Sequence, residues 1–348
     1  MMLGALLERK WSLVALVAAS LATLGLVPVA RTVALRLGVM DRPKPGKMHQ
    51  TPTPYLGGVA IALAVLVLPL ALTGWERDTA WLLLGALLVC AVGVIDDVRS
   101  LLPAPRLAVE FLAAALAVRG GAKAPLFGNW LDVLLSMAAL VLLTNSLNLL
   151  DNMDGVAASI VVAVSLPLLG SAVTNESWSQ VAVLASLAGA CLGFLIFNWH
   201  PAKIFMGDAG SLFLGFLLVS SALKASAVPY AQRNWATTVV GLVLAMAIAI
   251  FDTGLVVLSR IRAGRSILQG GTDHTSHRLQ RLGVPIRVVA LSLGVVAAIT
   301  AGCGVLVLHG RLNPLIPLVP ALAVGALLSV RLMCVPVYAA SRGRREVV

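Results

Sequence analysis

The chain has 348 residues, of which 59% are apolar and only 12% charged, with a mean hydropathy of +0.96 and a formal net charge of +11. Apolar runs near the roughly 20 residues that a bilayer requires recur along its length, which excludes an ordinary water-soluble globule and marks an integral membrane protein. The basic excess does not imply nucleic acid, because Lys and Arg are dispersed over short loops between apolar runs, where they favour anionic membrane lipids.

In chain order, apolar spans are expected at 12–34, 56–73, 80–95, 106–119, 131–147, 155–173, 180–197, 211–228, 235–258, 287–309 and 313–335. The fold class is therefore all-α, a polytopic membrane protein of ten or eleven transmembrane helices. The first span follows Arg9 and Lys10 and reads as an uncleaved helix rather than a signal peptide, since a motif-bearing loop and further spans come after it. One set of loops, with the C-terminal stretch, carries eighteen of the 26 Lys and Arg residues and the other set eight, which puts the first set in the cytoplasm, the N-terminus outside and the C-terminus inside. The longest polar stretches, 38–55 and 259–286, are too short to bury cores of their own, so residues 1–348 are expected to form a single membrane domain. A short helix is expected after Gly270-Gly271. Cys90, Cys191, Cys303 and Cys334 lie in apolar stretches without paired spacing and imply neither a disulfide framework nor a zinc site.

Polar clusters interrupt this pattern, and all of them fall at the cytoplasmic ends of the spans. Asp96-Asp97 closes the third. Two adjacent carboxylates repel, and each is costly beside lipid, so the pair reads either as a site with a compensating cation or as an interfacial helix end whose acids face water. Asn145, Asn148, Asp151 and Asp154 follow at every third residue. On a continuous helix each such step drifts by about 60°, so the four cannot converge and a break near Asp151-Asn152 is expected, lining a cavity. Asn198 precedes Phe205-Met-Gly207-Asp208-Ala-Gly210-Ser211, where the glycines permit close approach or unusual dihedrals and Ser211 reads as the cap of the next helix, whose amides suit an anion. Oxygen donors from Asp and Asn select a hard cation, magnesium or manganese. His274, His277 and Arg278 put three donors on one face of a helix, for phosphate or pyrophosphate, with solvated loop histidines as the plain alternative.

Together with Asp41-Arg42-Pro43, Lys47-Met-His49 and Pro54-Tyr-Leu-Gly57-Gly58, these motifs resemble, in matching order from about Asp41 to Leu282, the polyprenyl-phosphate N-acetylhexosamine-1-phosphate transferases of glycosyltransferase family 4, the WecA, TagO and MraY type. The resemblance implies transfer of a sugar-1-phosphate, most simply GlcNAc-1-phosphate, from a UDP-N-acetylhexosamine to undecaprenyl phosphate, with release of UMP, at the inner face of a bacterial cell membrane. It implies magnesium near Asp208 and Asn148, and an acidic pair, Asp96 and Asp97, nearest the lipid phosphate, one of which removes its proton. Asp154, Asn198 and Phe205 would surround the uridine, Lys47 and His49 would belong to a basic first loop, His274 and His277 would meet phosphate or sugar, and Asp151 would line the same wall. The resemblance leaves room for a homodimer.

This chain has Asp151-Asn152-Met-Asp154-Gly155 where the family often has Asp-Gly-x-Asp-Gly, and Thr275 and Ser276 separate its two histidines. The loop is closer to the GlcNAc-phosphate branch than to the phospho-MurNAc-pentapeptide branch. A cation-coupled transporter, the reading from another class, would place its charges near the bilayer midplane in related repeats, and no repeat is evident here.

Overall fold

A backbone surrounded by hydrocarbon has to satisfy its own amides and carbonyls, and the apolar runs of this chain do so as helices. In a computed structural model, which describes residues 2–42, 51–227, 234–267 and 270–338, the chain is 77% helical. The helices are α1 (Met2–Leu37), α2 (Gly57–Thr73), α3 (Arg77–Val98), α4 (Pro103–Arg119), α5 (Trp130–Leu150), α6 (Val156–Thr174), α7 (Trp178–Asn198), α8 (Gly207–Ala227), α9 (Trp235–Ala245), α10 (Ala247–Arg262), α11 (Thr275–Arg281), α12 (Ile286–Leu308) and α13 (Leu315–Met333). Between α1 and α2, β1 (Met40–Asp41) pairs antiparallel with β2 (Thr53–Pro54).

Each expected span coincides with a helix or a helix pair, but not all have the length of a crossing. Among the described residues eight helices are long and apolar enough to cross a membrane, and nine if α9 and α10 form one broken span. α2 and α4 fall short at 17 residues each, and α4 carries Arg106, Glu110 and Arg119. α9 and α10 meet at a 76° bend around Met246. Neither Pro nor Gly stands at that joint, so nothing in the local sequence announces it.

Burial runs opposite to that of a water-soluble protein at the edges of the bundle. α13 turns almost its whole surface outward, with Leu315, Ile316, Leu322, Leu327 and Val330 each more than 60% exposed. Such a surface has no favourable contact with water and fits lipid chains. At the other extreme α8 is buried nearly throughout, packed by α3, α5, α2 and α6. One contiguous apolar core extends around it, from Ala19 of α1 to Ala301 of α12. This is a multi-pass membrane protein built around α8, and the N-terminal end of that helix is where the polar clusters meet.

Two close approaches set that meeting point. A Cβ at Gly93 of α3 would stand 2.5 Å from the Ala209 amide nitrogen, and a Cβ at Gly58 of α2 would stand 2.2 Å from Gly210. Only bare backbone lets α2 and α3 both close on the first turn of α8.

Candidate active site

The last turn of α3 delivers Asp96 and Asp97 to the start of α8, and the two side chains do different things. Asp97 accepts from the amides of Asp208 (2.8 Å) and Ala209 (3.1 Å). It is thus the anion seated on the free amides and positive dipole end of α8. Gly207 precedes these amides with φ of +72°, and a Cβ there would lie 2.4 Å from Asp97 Oδ2. The expected helix N-terminus for an anion is therefore real, and the chain's own carboxylate occupies it. Asp96 instead accepts from the Leu101 amide (2.7 Å) and from Arg106 Nη1 (3.0 Å).

Arg106 joins three helices. Besides Asp96 it donates to Asn145 Oδ1 of α5 (2.7 Å), pairs with Glu110 of its own helix (3.2 Å), and comes within 3.7 Å of Asp208. Asn145 also donates to Glu110 and to the Val141 carbonyl. One turn on, Asn148 Nδ2 donates to Asp208 Oδ1 (2.7 Å) and to Ser211 Oγ (2.7 Å). Because the Ser211 hydroxyl donates to the Gly207 carbonyl, it can only accept from Asn148, which fixes the orientation of that amide. Asn148 therefore steadies Asp208. Ser211 lies inside α8 and is not the helix cap that its sequence position implied; the helix starts four residues earlier, at Gly207.

The break expected in the Asn148–Gly155 run is present. α5 ends at Leu150 and α6 starts at Val156, with Gly155 at φ of +75°. Asp151 stands in the gap, its carboxyl pushed up to about 8 by burial and by the charges of Asp208, Asp97 and Asp154. Asp154 accepts from His200 Nδ1 (2.7 Å) and the Ala202 amide (3.0 Å), and so holds the loop that leads to α8. Phe205 in that loop lies against Tyr55, ring centroids 6.3 Å apart.

Two expected ligand contacts are corrected by the geometry. Asn198, only 3% exposed, accepts from the Gly155 amide and donates to the Ile204 carbonyl. Both ends of its amide serve the fold, and it ties the α5–α6 break to the α7–α8 loop instead of facing uridine. Arg278 is wholly buried and donates to the carbonyls of Asp273 and Leu332 and to Ser259. The three donors of the histidine segment do not share an open face, because α11 starts only at Thr275 and directs Arg278 inward. His274, ahead of α11, is bonded to Asp252 of α10 (2.7 Å), and His277 lies beside it. Burial and the His274 charge hold His277 down to about 4, so its ring is neutral at ordinary pH. Ser276 donates to Asn152, which joins this segment to the wall that carries Asp151. Lys47 and His49 lie outside the described residues.

Asp96, Asp97, Asn148, Asp151 and Asp208 are thus drawn together from three helices and a loop. Sequence reading missed Arg106, counted only among the cytoplasmic Lys and Arg residues, and Glu110, which it did not single out; their signal was an Arg and a Glu four apart inside an apolar helix. It also missed Asp252, an acid in the apolar run of α10.

The donor set bears on the expected metal. Arg106 is paired with the carboxylates of Asp96, Glu110 and Asp208, while Asp151, titrating at about 8, adds a largely neutral carboxyl at ordinary pH. The cluster consists of oxygen donors and carries excess negative charge. Among the described residues no three His, Cys, Asp or Glu side chains form a ready metal-holding group. A hard divalent ion that takes one or two carboxylates and completes its shell with water and substrate phosphates needs no such group, and the oxygen donors here are of the type it takes.

The profile of glycosyl transferase family 4 matches residues 79–226, which contain the acidic cluster and the α5–α8 elements that frame it. A Streptomyces coelicolor protein with a glycosyltransferase name is 36% identical over 306 residues, 85% of this chain and 70% of that protein. A Bacillus subtilis protein described as an undecaprenyl-phosphate N-acetylglucosaminyl 1-phosphate transferase is 30% identical over 293 residues, 80% of each chain. The phospho-N-acetylmuramoyl-pentapeptide-transferase of Heliobacterium modesticaldum is 30% identical over 220 residues, 57% of this chain and 68% of that protein. The chain belongs to glycosyl transferase family 4, the family of the polyprenyl-phosphate N-acetylhexosamine-1-phosphate transferases.

Proposed function

We propose that the protein transfers a sugar-1-phosphate from a UDP-N-acetylhexosamine, GlcNAc in the first instance, to undecaprenyl phosphate, and that it does so with magnesium at the cytoplasmic face of the membrane. The observation that carries this reading is the convergence of Asp96, Asn148 and Asp208 at the first turn of α8, with Arg106 among them. Prenyl phosphates have their charged group at the membrane surface, and nucleotide sugars arrive from the cytosol. An acidic, oxygen-lined site at the ends of apolar helices suits both. The excess of Lys and Arg on that side supports the cytoplasmic assignment.

In this reading an oxygen of the lipid phosphate attacks the sugar-bearing phosphorus of the donor. A new P–O bond forms, the bond to the UMP oxygen breaks, and UMP leaves with that electron pair. Two anions have to be brought together, so positioning and charge neutralisation supply most of the catalysis. A divalent ion held by Asp208, with Asp96 as the second carboxylate, would neutralise the phosphate oxygens. Asn148 orients Asp208, and Arg106 offers a guanidinium that phosphate oxygens accept in place of Asp96. The second ionisation of a phosphate monoester lies near about 6, so the lipid phosphate is largely a dianion at neutral pH and attack needs no protein base. Asp97 is then free to serve as the helix anchor in which it is engaged, and Asp96, once phosphate takes its place on Arg106, to serve the ion. The loop held by Asp154, with Phe205 against Tyr55, is the candidate uridine wall.

A phospho-MurNAc-pentapeptide donor is the second reading, carried by the match to that branch, and the longer shared length with the Bacillus subtilis relative favours GlcNAc. The test uses purified chain, magnesium, undecaprenyl phosphate and each nucleotide sugar in turn. UMP release with UDP-GlcNAc and not with UDP-MurNAc-pentapeptide is expected. The reverse would move the protein to the other branch, and no release with any nucleotide sugar would remove the enzyme reading.

A further inference from the structure

We propose that Asp252 is a positioning residue which fixes the tautomer and orientation of His274, so that Nε2 is the ring atom presented to the substrate; the identity of that substrate rests on the function proposed above. Asp252 is 0% exposed, shortly past the bend that separates α10 from α9. An acid so placed in an apolar helix is costly unless its oxygens are engaged. Both are: Oδ2 meets His274 Nδ1 at 2.7 Å, and Oδ1 accepts from the Thr275 amide at 2.7 Å. A carboxylate only accepts, so a neutral His274 ring carries its proton on Nδ1. Among the described residues its Nε2 makes no hydrogen bond. That atom is an acceptor toward a hydroxyl when the ring is neutral and a donor toward a phosphate oxygen when it is protonated.

The surroundings point the same way. The His277 ring lies 5.7 Å from that of His274 at a 50° tilt, and its Nδ1 is buried without a partner. Ser276, between them, donates to Asn152 on the broken α5–α6 wall, so the histidine pair borders the acidic cluster. The preceding residue, Asp273, is locked by two bonds from Arg260 and one from Tyr338. Burial would raise the Asp273 carboxyl, but those bonds hold it down to about 2. Both sides of His274 are thus fixed, and the bond to Asp252 sets the ring itself.

A plain helix cap would give the same Thr275 contact, and substitution by Asn separates the two roles. An Asn has one acceptor and one donor where the carboxylate has two acceptors. The Thr275 amide is held by the backbone and takes Oδ1. Nδ2–H then faces the ring, which can accept only after its proton moves to Nε2. The full chain in detergent, labelled with 15N-histidine and assigned with His274→Gln, should show a neutral ring protonated on Nδ1 in the parent and on Nε2 in Asp252→Asn. With UDP-GlcNAc and undecaprenyl phosphate, Asp252→Asn should lower kcat by about 10²-fold or more. KM for the nucleotide sugar should stay within about threefold, and Asp252→Asn added to His274→Gln should cost less than about threefold again, because it acts through that ring.

A parent ring protonated on Nε2, an unchanged tautomer in Asp252→Asn, or an undiminished loss in the His274→Gln background would overturn the proposal. The spectrum of the parent needs neither turnover nor a folded variant. A chain that gives the expected spectrum and yet releases no UMP keeps Asp252 in its role and overturns the proposed function.

Discussion

Asp97→Asn is the substitution that most sharply separates a helix anchor from a chemical base. The carboxylate accepts two backbone amides, at 2.8 and 3.1 Å, on the first turn of α8. Asn keeps one acceptor, turns an NH2 toward the second amide, and removes the charge from the helix end. A lost charge-assisted bond is worth about 1.5–3 kcal/mol, and the dipole contribution adds about 0.3–1 kcal/mol. Together they come to about 3 kcal/mol, which would appear as a lower unfolding temperature in detergent. Since one of the two amides is that of Asp208 itself, the weakened anchor should displace its carboxylate. If that energy falls on the metal-bound geometry, Mn2+ affinity measured by electron paramagnetic resonance should drop by up to about 10²-fold. An Asn variant with the parent's stability and Mn2+ affinity, but without transfer activity, would refute the anchoring account and return Asp97 to the role of base.

Gly207→Ala should fail for a related reason. At φ of +72°, with Asp97 Oδ2 2.4 Å from the added Cβ, the residue is strained and obstructed together, so transfer and Mn2+ binding should fall in parallel while membrane insertion is retained. Arg278→Leu removes three donor nitrogens from a buried network and takes a partner from the carbonyls of Asp273, Leu332 and Val335 and from Ser259. It should destabilise the chain by about 3–5 kcal/mol in thermal unfolding, with KM for the nucleotide sugar unchanged at a permissive temperature; a raised KM with full stability would make Arg278 a substrate contact. Asp151 gives a pH test. Its folded carboxyl titrates near about 8, above its unfolded value, so its contribution to stability is complete at low pH and is lost as pH rises toward 8. Asp151→Asn should therefore unfold at a higher temperature than the parent at pH 8–9, with the difference vanishing near pH 4, when both are measured without divalent ions.

Much of the architecture was legible because lipid imposes one answer on an apolar run, and every expected span does coincide with a helix or a helix pair. The break at Asp151-Asn152 was legible for a geometric reason, the drift of a three-residue repeat around a helix. The meeting of Asp96-Asp97 with Asp208 followed from their common side of the bilayer. Other features depend on contacts that no local pattern carries. The 76° bend at Met246 has neither Pro nor Gly, and it brings Asp252 under His274. Arg106 counted only as one basic residue of the cytoplasmic side and Glu110 was not singled out, yet they link α4 to Asn145 and to Asp96. Arg278 illustrates the opposite error: nearness in sequence to two histidines implied a shared face, while the short α11 turns it into the protein. Asn198 was read as a ligand for the same reason, its place within a polar cluster, but its amide bridges two loops.

The central claim is transfer of the phosphate together with the sugar, and its most direct measurement uses UDP-GlcNAc labelled with 32P at the sugar-bearing phosphorus and with 3H in the sugar. With the full chain, magnesium and undecaprenyl phosphate, both labels should enter the lipid extract in equal amounts, with UMP as the nucleotide product, and Asp208→Ala should abolish both. Entry of 3H without 32P, with UDP released, would mean ordinary glycosyl transfer and would contradict the account.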